Sequence, residues 1–319
     1  MTLQDIPVLY GETMNKYISM RVGGPAGAYY LPEDEDSLIA CIRSAIASDK
    51  PYFLLGNGTN VIVRDGGYPG AVISTLKALS GIEVPVCEYS DEKLVHKACN
   101  STQDEASCRN GSARLFCGAG EPLAKACRFA AEQSLSGLEK LAGIPGTVGG
   151  AVFMNAGAYG GEISDVLANV KAYDPDFDKI IMLTKDECGF SYRSSIFKTK
   201  PIVILSAELE LQRGERQEIE TEMAEYTRKR NEKQPVDLPS AGSFFKRPEG
   251  DYAGRLIEEA GLKGVRVGGA QVSEKHAGFI VNTGGATAAD VLELTETVKA
   301  KVYQKFRIKL EEEPIVIGI

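Results

Sequence analysis

Residues 239–248, with the sequence PSAGSFFKRP, set the hydroxyl of Ser243 in a small-residue turn that two phenylalanines, Lys246 and Arg247 follow directly. Gly242 allows the backbone a conformation closed to other residues and lets it approach a ligand closely. The two rings would thin the water around the hydroxyl, and the two cations would attract phosphate or carboxylate. The pattern predicts a proton donor beside an anion site, although this segment alone could equally form an ordinary Ser-Gly turn before a strand.

Two other segments carry more glycine and small residues than a packed core needs. GNGTN at 56–60 follows a strand-like run, so its backbone N–H groups could bind a pyrophosphate without a lysine. AGIPGTVGGAVFMNAGAYG at 142–160 alternates small and apolar residues, which would let a flat ring system lie against the backbone. Neither segment is GxGxxG and the chain has no GxxxxGK[ST], which disfavours a Rossmann nicotinamide site and a P-loop. Each loop could be a turn-rich connection, but the two together predict a dinucleotide cradle.

Composition limits the class of protein further. A length of 319 residues predicts two or three domains, and a formal net charge of -8 argues against a sequence-independent nucleic-acid surface. Seven cysteines without a CxxC pair, together with two histidines, give little support to a metal site or a disulfide framework. The N-terminus has no basic patch and apolar run, and no window reaches the ~18 apolar residues of a membrane span, so we expect a soluble cytoplasmic protein.

The periodicity of apolar residues predicts an α+β fold. An inserted polar segment at 86–111 should lie, mobile, between the two strands of a hairpin, and the prolines near 235–239 should mark a domain junction. The predicted helices are 33–48, 122–134, 215–232, 252–261 and 288–306. The predicted strands are 51–56, 61–63, 168–173, 180–183, 202–211, 277–282 and 308–319.

Five motifs, in a fixed order, make the chain resemble the UDP-N-acetylenolpyruvoylglucosamine reductase family. They are the glycine loops, FSYRSSIF at 190–197, PSAGSFFKRP, the segment 253–282, and LEEEPIVIG at 310–318. The resemblance runs from residue 20 to the C-terminus and omits only the insertion. It implies a two-part FAD-binding region of the PCMH/vanillyl-alcohol-oxidase-like type, at 1–79 and 80–212, and an α+β substrate domain at 213–307. The terminal strand 308–319 should return to the first part.

The resemblance also implies an activity, in which NADPH reduces FAD and the hydride passes to the enolpyruvyl group of a UDP-sugar. The product would be UDP-N-acetylmuramate, a precursor of peptidoglycan and so of cell shape and division. The FAD should be non-covalent, because loop 56–60 has no His or Cys to attach it. The residues expected to bind the cofactor are Gly56, Asn57, Gly58, Thr59, Asn60, Gly143, Ile144, Pro145, Gly146, Thr147, Gly149, Gly150, Ala151, Asn155, Gly157 and Ala158.

Three residues match the catalytic residues of the family. Ser243 would supply the proton, and because a serine hydroxyl is a weak acid it would need the field of neighbouring cations. Arg193 would grip the substrate carboxylate and stabilise the charge formed after hydride transfer, with Glu313 acting beside it. Pro314 and Ile315 stand where the family usually has a small apolar residue and then arginine, so a slipped register would make Glu312 the acid instead.

The short stretch between Phe197 and Lys233 resembles the second type of the family, which lacks an extra loop over the substrate. His276 is interpreted as structural. We expect a monomer that binds only small molecules. A flavin oxidase acting on an alcohol or sugar, and a non-catalytic flavin- or nucleotide-sugar-binding regulator, are the alternatives. The candidates for UDP-sugar contacts are Tyr192, Lys233, Lys246, Arg247 and Gln271, of which Lys233 could instead cap its helix.

Overall fold

The computed structural model describes residues 5–84, the backbone of 87–90 and 93–96, and residues 111–319. Most of the predicted mobile insertion therefore lies outside the described residues. The part that is described, Cys87–Ser90 paired antiparallel with Lys93–His96, forms a small hairpin of its own. The strands on either side of the insertion, Ile82–Glu83 and Ser112–Gly118, pair antiparallel, so its predicted position between hairpin strands is confirmed.

The described chain combines helices with mainly antiparallel strands, as in an α+β fold. The α-helices are α1 (Glu35–Ala47), α2 (Leu123–Glu132), α3 (Val148–Met154), α4 (Ile163–Val166), α5 (Arg216–Lys233), α6 (Ala253–Glu259) and α7 (Ala288–Phe306). The strands are β1 (Val8–Tyr10), β2 (Ala26–Tyr30), β3 (Tyr52–Leu55), β4 (Val61–Val63), β5 (Tyr68–Ser74), β6 (Ile82–Glu83), β7 (Cys87–Ser90), β8 (Lys93–His96), β9 (Ser112–Gly118), β10 (Leu135–Ser136), β11 (Gly157–Ala158), β12 (Gly161–Glu162), β13 (Leu167–Asp174), β14 (Lys179–Thr184), β15 (Val203–Arg213), β16 (Arg266–Val267), β17 (Ala270–Val272), β18 (Ile280–Asn282) and β19 (Ile315–Ile317). Short 3-10 turns lie at Met14–Lys16, Glu139–Leu141, Asp186–Cys188 and Ile196–Lys198.

Unit 1 is one of two compact units and comprises Met1–Leu31, Ala40–Ser74 and Lys229–Ile319. Its strands form a sheet in the order β1-β2-β5-β3, a second sheet β16-β17-β18, and the parallel pair β19-β4. Apolar side chains from these elements other than β1, and from α6 and α7, form one core. Because that core combines the N-terminal and C-terminal parts of the chain, residues far apart in sequence are held together here.

The longest helix of unit 1, α7, shows how its sequence fixes its position. Its buried residues recur at helical spacing and face the core, and Thr287 with Asp290 forms a capping box at the N-terminus. Both carboxylate oxygens of Asp65 accept backbone N–H bonds of 2.8 Å from Ala288 and Ala289. These bonds satisfy N–H groups that a helix start leaves open, and they tie α7 to the turn after β4.

Unit 2 comprises Pro32–Ile39 and Thr75–Arg228 and is built on an antiparallel sheet in the order β14-β13-β15-β9-β6. The long strand β15 lies at its centre, with β13 on one side and β9 on the other. Glu208 on β15 links these neighbours, because it accepts bonds of 2.8 Å from Arg114 and 2.6 Å from Asn169. The boundary with unit 1 falls inside α5, before the prolines. The three-domain division of the sequence stays a prediction.

The described cysteines are buried and free: Cys41, Cys117, Cys127 and Cys188. Burial raises the pKa of each thiol, to about 11 for Cys188 and about 12 for the other three. Over the residues that the structure describes, no helix has both the length and the apolar character needed to cross a membrane.

Candidate active site

The Ser243 turn and the terminal acidic run lie side by side in unit 1. Phe245 and Glu312 form an antiparallel bridge. On either side of it, the N–H of Lys246 donates to the carbonyl of Glu311 at 2.8 Å, and the N–H of Glu313 donates to the carbonyl of Phe244 at 3.0 Å. This ladder places Glu313 beside the residue that follows Ser243.

The two phenylalanines anchor this turn. Phe244 and Phe245 are 1% and 4% exposed, and their rings meet edge to face with centroids 5.6 Å apart in the unit 1 core. Ser243 itself is exposed, and Gly242 before it has a φ of +78°, with no atom within 4 Å of the position that a Cβ would occupy. The expectation that the two rings thin the water around the hydroxyl is therefore wrong, because the rings are buried and Ser243 is exposed. They fix the strand, and Gly242 leaves space for a ligand beside Ser243.

Two residues of the acidic run form ion pairs with different lysines. Glu311 lies 3.1 Å from the ammonium of Lys246, and Glu312 lies 2.9 Å from that of Lys299 on α7. Burial would raise the pKa of Glu312, but the hydrogen bond and charge of Lys299, a backbone hydrogen bond and the charge of Lys246 together hold that pKa below its ordinary value. A carboxylate held ionised by a lysine is poorly suited to protonate or share a proton at neutral pH, so the geometry disfavours the alternative assignment of Glu312.

The first glycine loop, 56–60, meets the same acidic run. The side-chain amide of Asn60 donates to the carbonyl of Glu313 at 3.3 Å, and the N–H of Ile315 donates to the carbonyl of Asn60 at 2.9 Å. From there β19 pairs in parallel with β4, Ile315 opposite Val61. Strand β19 begins directly after Pro314, as expected for a residue that cannot donate a ladder bond, and it is shorter than the predicted strand 308–319.

The same loop has the features that a bound pyrophosphate needs. Gly58 has a φ of +62°, and its carbonyl accepts the N–H of Ser19 at 3.0 Å. In the part of the chain that the structure describes, no hydrogen bond is donated by the backbone N–H groups of Gly58, Thr59 or Asn60. Consecutive amides around a left-handed residue form an anion-binding nest, and a buried amide such as that of Gly58 is stabilised by an acceptor. This chemistry fits FAD.

The second glycine segment lies in unit 2 and is more ordered than its sequence indicates. Thr147 caps α3 by accepting the N–H of Gly150 at 3.1 Å. Gly149 packs so closely on Ala119, the residue after β9, that an added Cβ would lie 2.7 Å from that of Ala119. Asn155 ends the helix with a φ of +45° and is 1% exposed. Its amide bonds to Glu162 and to the carbonyl of Ser191, so Asn155 holds the segment together, and its assignment to the cofactor stays a prediction.

Arg193 is hydrogen-bonded to the second glycine segment. Its guanidinium donates to the carbonyl of Gly157 at 2.8 Å and lies 5.1 Å from the ring centre of Tyr192. Arg193 has a φ of +53°, and a mutual backbone bridge between Ser191 and Ser194 closes the turn around it. A non-glycine residue in the left-handed region is strained and persists only where its surroundings hold it, which marks this turn as a functional candidate. Ser243 and Glu313 belong to unit 1, whereas Arg193 belongs to unit 2.

The candidates for sugar-nucleotide contacts differ in their surroundings. Arg247 lies over the ring of Tyr252 at 3.9 Å, Tyr192 is half exposed, and Lys233 ends α5. Gln271 is buried, with its amide oxygen accepting from Arg266 at 3.1 Å and its amide nitrogen donating to the carbonyl of Gly264 at 3.2 Å. Gln271 thus has partners at both ends of its amide within unit 1.

His276 behaves as the sequence interpretation requires. Burial lowers its pKa, and its Nδ1 accepts the N–H of Gly278 at 3.1 Å while its ring packs edge to face on Phe279. Among the residues with described positions, no group of three or more His, Cys, Asp or Glu side chains is arranged to hold a metal ion.

Known proteins are similar to this chain along nearly its whole length. The UDP-N-acetylenolpyruvoylglucosamine reductase of Agathobacter rectalis is 46% identical over 99% of this chain and 96% of its own length. The chain belongs to the UDP-N-acetylenolpyruvoylglucosamine reductase family. A Clostridium botulinum reductase of the same name is 43% identical over 98% of this chain and 92% of its own. The family resemblance seen in the motifs is thereby confirmed.

The crystal structure of the UDP-N-acetylenolpyruvylglucosamine reductase from Thermus caldophilus matches this fold with a TM-score of 0.74 and 34% identity, covering 98% of this chain and 99% of that one. Residues 26–176 match the FAD binding domain family, and residues 234–317 match the C-terminal domain family of UDP-N-acetylenolpyruvoylglucosamine reductase. The predicted fold class, an FAD-binding region with a C-terminal α+β domain, is confirmed, as is membership in a family of flavin-dependent oxidoreductases.

Two residues with a part in this site gave no signal in the sequence. Ser19 and Lys299 lie outside every motif, in a polar N-terminal turn and on the charged side of a helix. Their partners, Ser240 and Glu312, are close only in the folded chain. A pattern of local spacing cannot reveal such pairs.

Proposed function

We propose that this protein reduces the enolpyruvyl ether of UDP-N-acetylglucosamine to UDP-N-acetylmuramate, with non-covalently bound FAD and with NADPH as the hydride donor. The observation that supports the proposal is the ladder that joins Glu313 to Phe244, the residue after Ser243, and to Asn60 of the first glycine loop. The reaction would supply a peptidoglycan precursor. Since UDP-sugars and NADPH are cytoplasmic metabolites, the proposal implies a cytoplasmic enzyme, and we further propose that it is a monomer.

The reaction adds two hydrogens across a carbon–carbon double bond. FAD, when bound, supplies the hydride that it receives from NADPH. The hydride electrons form one new C–H bond, and the electrons of the double bond move toward the carboxylate-bearing carbon. A proton must then reach that carbon to complete the saturated lactyl ether. The protein therefore has two tasks, to stabilise the intermediate negative charge and to deliver the proton.

Ser243 is the proposed proton donor. Its hydroxyl is exposed on a turn that Phe244 and Phe245 anchor, with an open position at Gly242 for the substrate. Lys246 and Arg247 follow it; the charge of Lys246 is partly offset by Glu311, and the remaining positive charge favours the serine alkoxide left after donation. The acidity of the serine thus depends on its neighbours.

Arg193 and Glu313 are the proposed carboxylate and charge-handling residues. A guanidinium binds a carboxylate with two parallel bonds and offsets charge that spreads onto it during the reaction. Arg193 is pre-oriented by its bond to Gly157, and Glu313 by backbone bonds to Phe244 and Asn60. Fixed groups of this kind need little reorganisation when charge develops.

The purified protein tests the proposal directly. A flavin absorbance spectrum should accompany it, and heat should release the flavin, because the attachment is non-covalent. NADPH oxidation under anaerobic conditions should require the UDP-enolpyruvyl sugar and match it one to one. Oxygen consumption with an alcohol or sugar would instead identify an oxidase, and bound flavin without turnover would identify a regulator.

A further inference from the structure

Ser19 connects two parts of the candidate site in unit 1. Its backbone N–H donates to the carbonyl of Gly58 at 3.0 Å. Its hydroxyl lies 2.6 Å from the carbonyl oxygen of Ser240 and 3.2 Å from that of Gly58. One side chain therefore contacts both the first glycine loop and the turn that carries Ser243.

The two carbonyls depend on Ser19 to different degrees. A hydroxyl donates a single hydrogen, and the shorter distance assigns it to Ser240. The carbonyl of Gly58 retains the backbone N–H whatever the side chain is. Removing the hydroxyl would therefore leave the glycine loop bonded and would release the Ser240 carbonyl.

The turn from Ser240 to Ser243 needs such a bond. On one side Ser240 forms a bridge with Val281, and on the other the N–H of Phe244 donates to Gly278. Between these points lies Gly242, at a φ of +78° with open space around it. Glycine has a wide range of backbone conformations, so the segment between these two points can shift, and a further bond to the Ser240 carbonyl restricts it.

We propose that Ser19 is a positioning residue that fixes Ser243 relative to the first glycine loop through the hydrogen bond to Ser240. The inference rests on the proposed function, in which that loop holds FAD and Ser243 delivers the proton. A displacement of about 1 Å in a reacting group can slow a reaction by about 100-fold, so one bond at this point has a large effect on rate.

Ser19→Ala tests the inference with rapid-mixing absorbance measurements of the two half-reactions. Flavin content and the rate of flavin reduction by NADPH should stay at the wild-type level. The rate of flavin reoxidation by the UDP-enolpyruvyl sugar should fall by about 10- to 100-fold. Ser19→Thr keeps the hydroxyl and should restore the rate, which a loss due to general loosening would not predict.

Thr221→Val is the matched control, because it removes a hydroxyl that donates to the carbonyl of Gln217, also at 2.6 Å, on an exposed face of α5. It should leave both half-reactions unchanged. If Ser19→Ala does not fold, Ser19→Cys replaces it, since a thiol is a much weaker donor. Equal losses of flavin content and both rates in Ser19→Ala, or no loss in either rate, would overturn the inference.

Amide hydrogen exchange separates this inference from the proposed function. In Ser19→Ala, exchange should accelerate in a peptide covering 240–245 and stay unchanged in one covering 56–60. If the wild-type protein does not reduce the UDP-enolpyruvyl sugar, the proposed function is wrong, and the exchange result alone decides whether Ser19 holds the turn. Unchanged exchange at 240–245 would show that it does not.

Discussion

The backbone N–H of Glu313 donates a 3.0 Å hydrogen bond to the carbonyl oxygen of Phe244. This bond joins the last few residues of the chain to the turn of Ser243, although α6, three strands and α7 lie between them in sequence. The carbonyl oxygen of Glu313 in turn accepts a hydrogen bond from the side-chain amide of Asn60, which extends the contact to the first glycine loop. The proposed proton donor, acid and pyrophosphate loop are thus set by one short backbone network.

The three consecutive glutamates should respond differently to the same change. Glu313→Gln should slow turnover by about 100-fold or more, as expected for loss of a positioned catalytic group. Glu311→Gln breaks only an exposed ion pair with Lys246 and should keep near wild-type activity. Glu312→Gln breaks the pair with Lys299 and should lower stability by about 1 kcal/mol with turnover retained. Steady-state kinetics and thermal unfolding measure both effects. A larger loss of turnover in Glu312→Gln than in Glu313→Gln would favour the slipped register.

Hydride transfer and protonation should separate in the variants of Ser243 and Arg193. Ser243→Ala should let NADPH reduce the flavin at close to the normal rate, because that step takes no proton from the serine. Oxidation of the flavin by the UDP-enolpyruvyl sugar should slow by at least ~100-fold. Arg193→Ala should slow the same half-reaction through loss of charge stabilisation. Stopped-flow absorbance gives both rates. A defect of Ser243→Ala confined to flavin reduction would mean that the serine binds nicotinamide.

Gly58 and Gly11 form a matched pair for the first glycine loop. Both are left-handed, with φ of +62° and +64°, but an added Cβ would lie 2.1 Å from the carbonyl oxygen of Tyr17 at Gly58 and would meet no atom within 4 Å at Gly11. Gly11→Ala should therefore cost only the roughly 1–2 kcal/mol of backbone strain. Gly58→Ala adds a steric overlap that must displace the loop.

The displaced loop in Gly58→Ala should lose flavin, and a β-branched residue at this position should lose it completely. Flavin absorbance per protein and thermal unfolding of the two alanine variants are the measurements. Full flavin content in the Gly58 variants, with stability equal to that of Gly11→Ala, would show that the loop does not hold the cofactor.

The buried thiols predict both low reactivity and a loss of stability at high pH. Burial raises the pKa of Cys127 in the folded protein to about 12, so the unfolded state releases its proton first as pH rises. Its contribution to stability is complete below about pH 9 and is lost progressively toward pH 12. Chemical unfolding at several pH values should show this decline, with a shallower slope in Cys127→Ala.

In the native protein at pH 8, Cys41, Cys117, Cys127 and Cys188 should resist alkylation. Rapid labelling of these four, mapped by mass spectrometry, would contradict the burial.

Elements with strong local patterns were predictable. Helix α7 was predicted at its observed bounds, because its buried residues repeat at helical spacing and its capping box is contiguous in sequence. The strand before the first glycine loop and the strand VIV after it are confirmed as β3 and β4. Helix α3 inside the second glycine segment was not predicted, since its glycines suit turns by local propensity and form a helix here through close packing on Ala119, just after β9.

The sequence by itself determined the family, the FAD-binding fold class and which residue types could do the chemistry, because motif order and local periodicity are contained in the chain. Only the tertiary structure decided how the acidic run is divided, with Glu311 and Glu312 paired to lysines and Glu313 joined to Phe244 and Asn60. It also decided that the rings of Phe244 and Phe245 are buried in the core and that the hydroxyl of Ser19 contacts the carbonyl of Ser240. The physical reason is that these bonds join residues far apart in sequence, so they exist only once burial of the shared core holds their strands together.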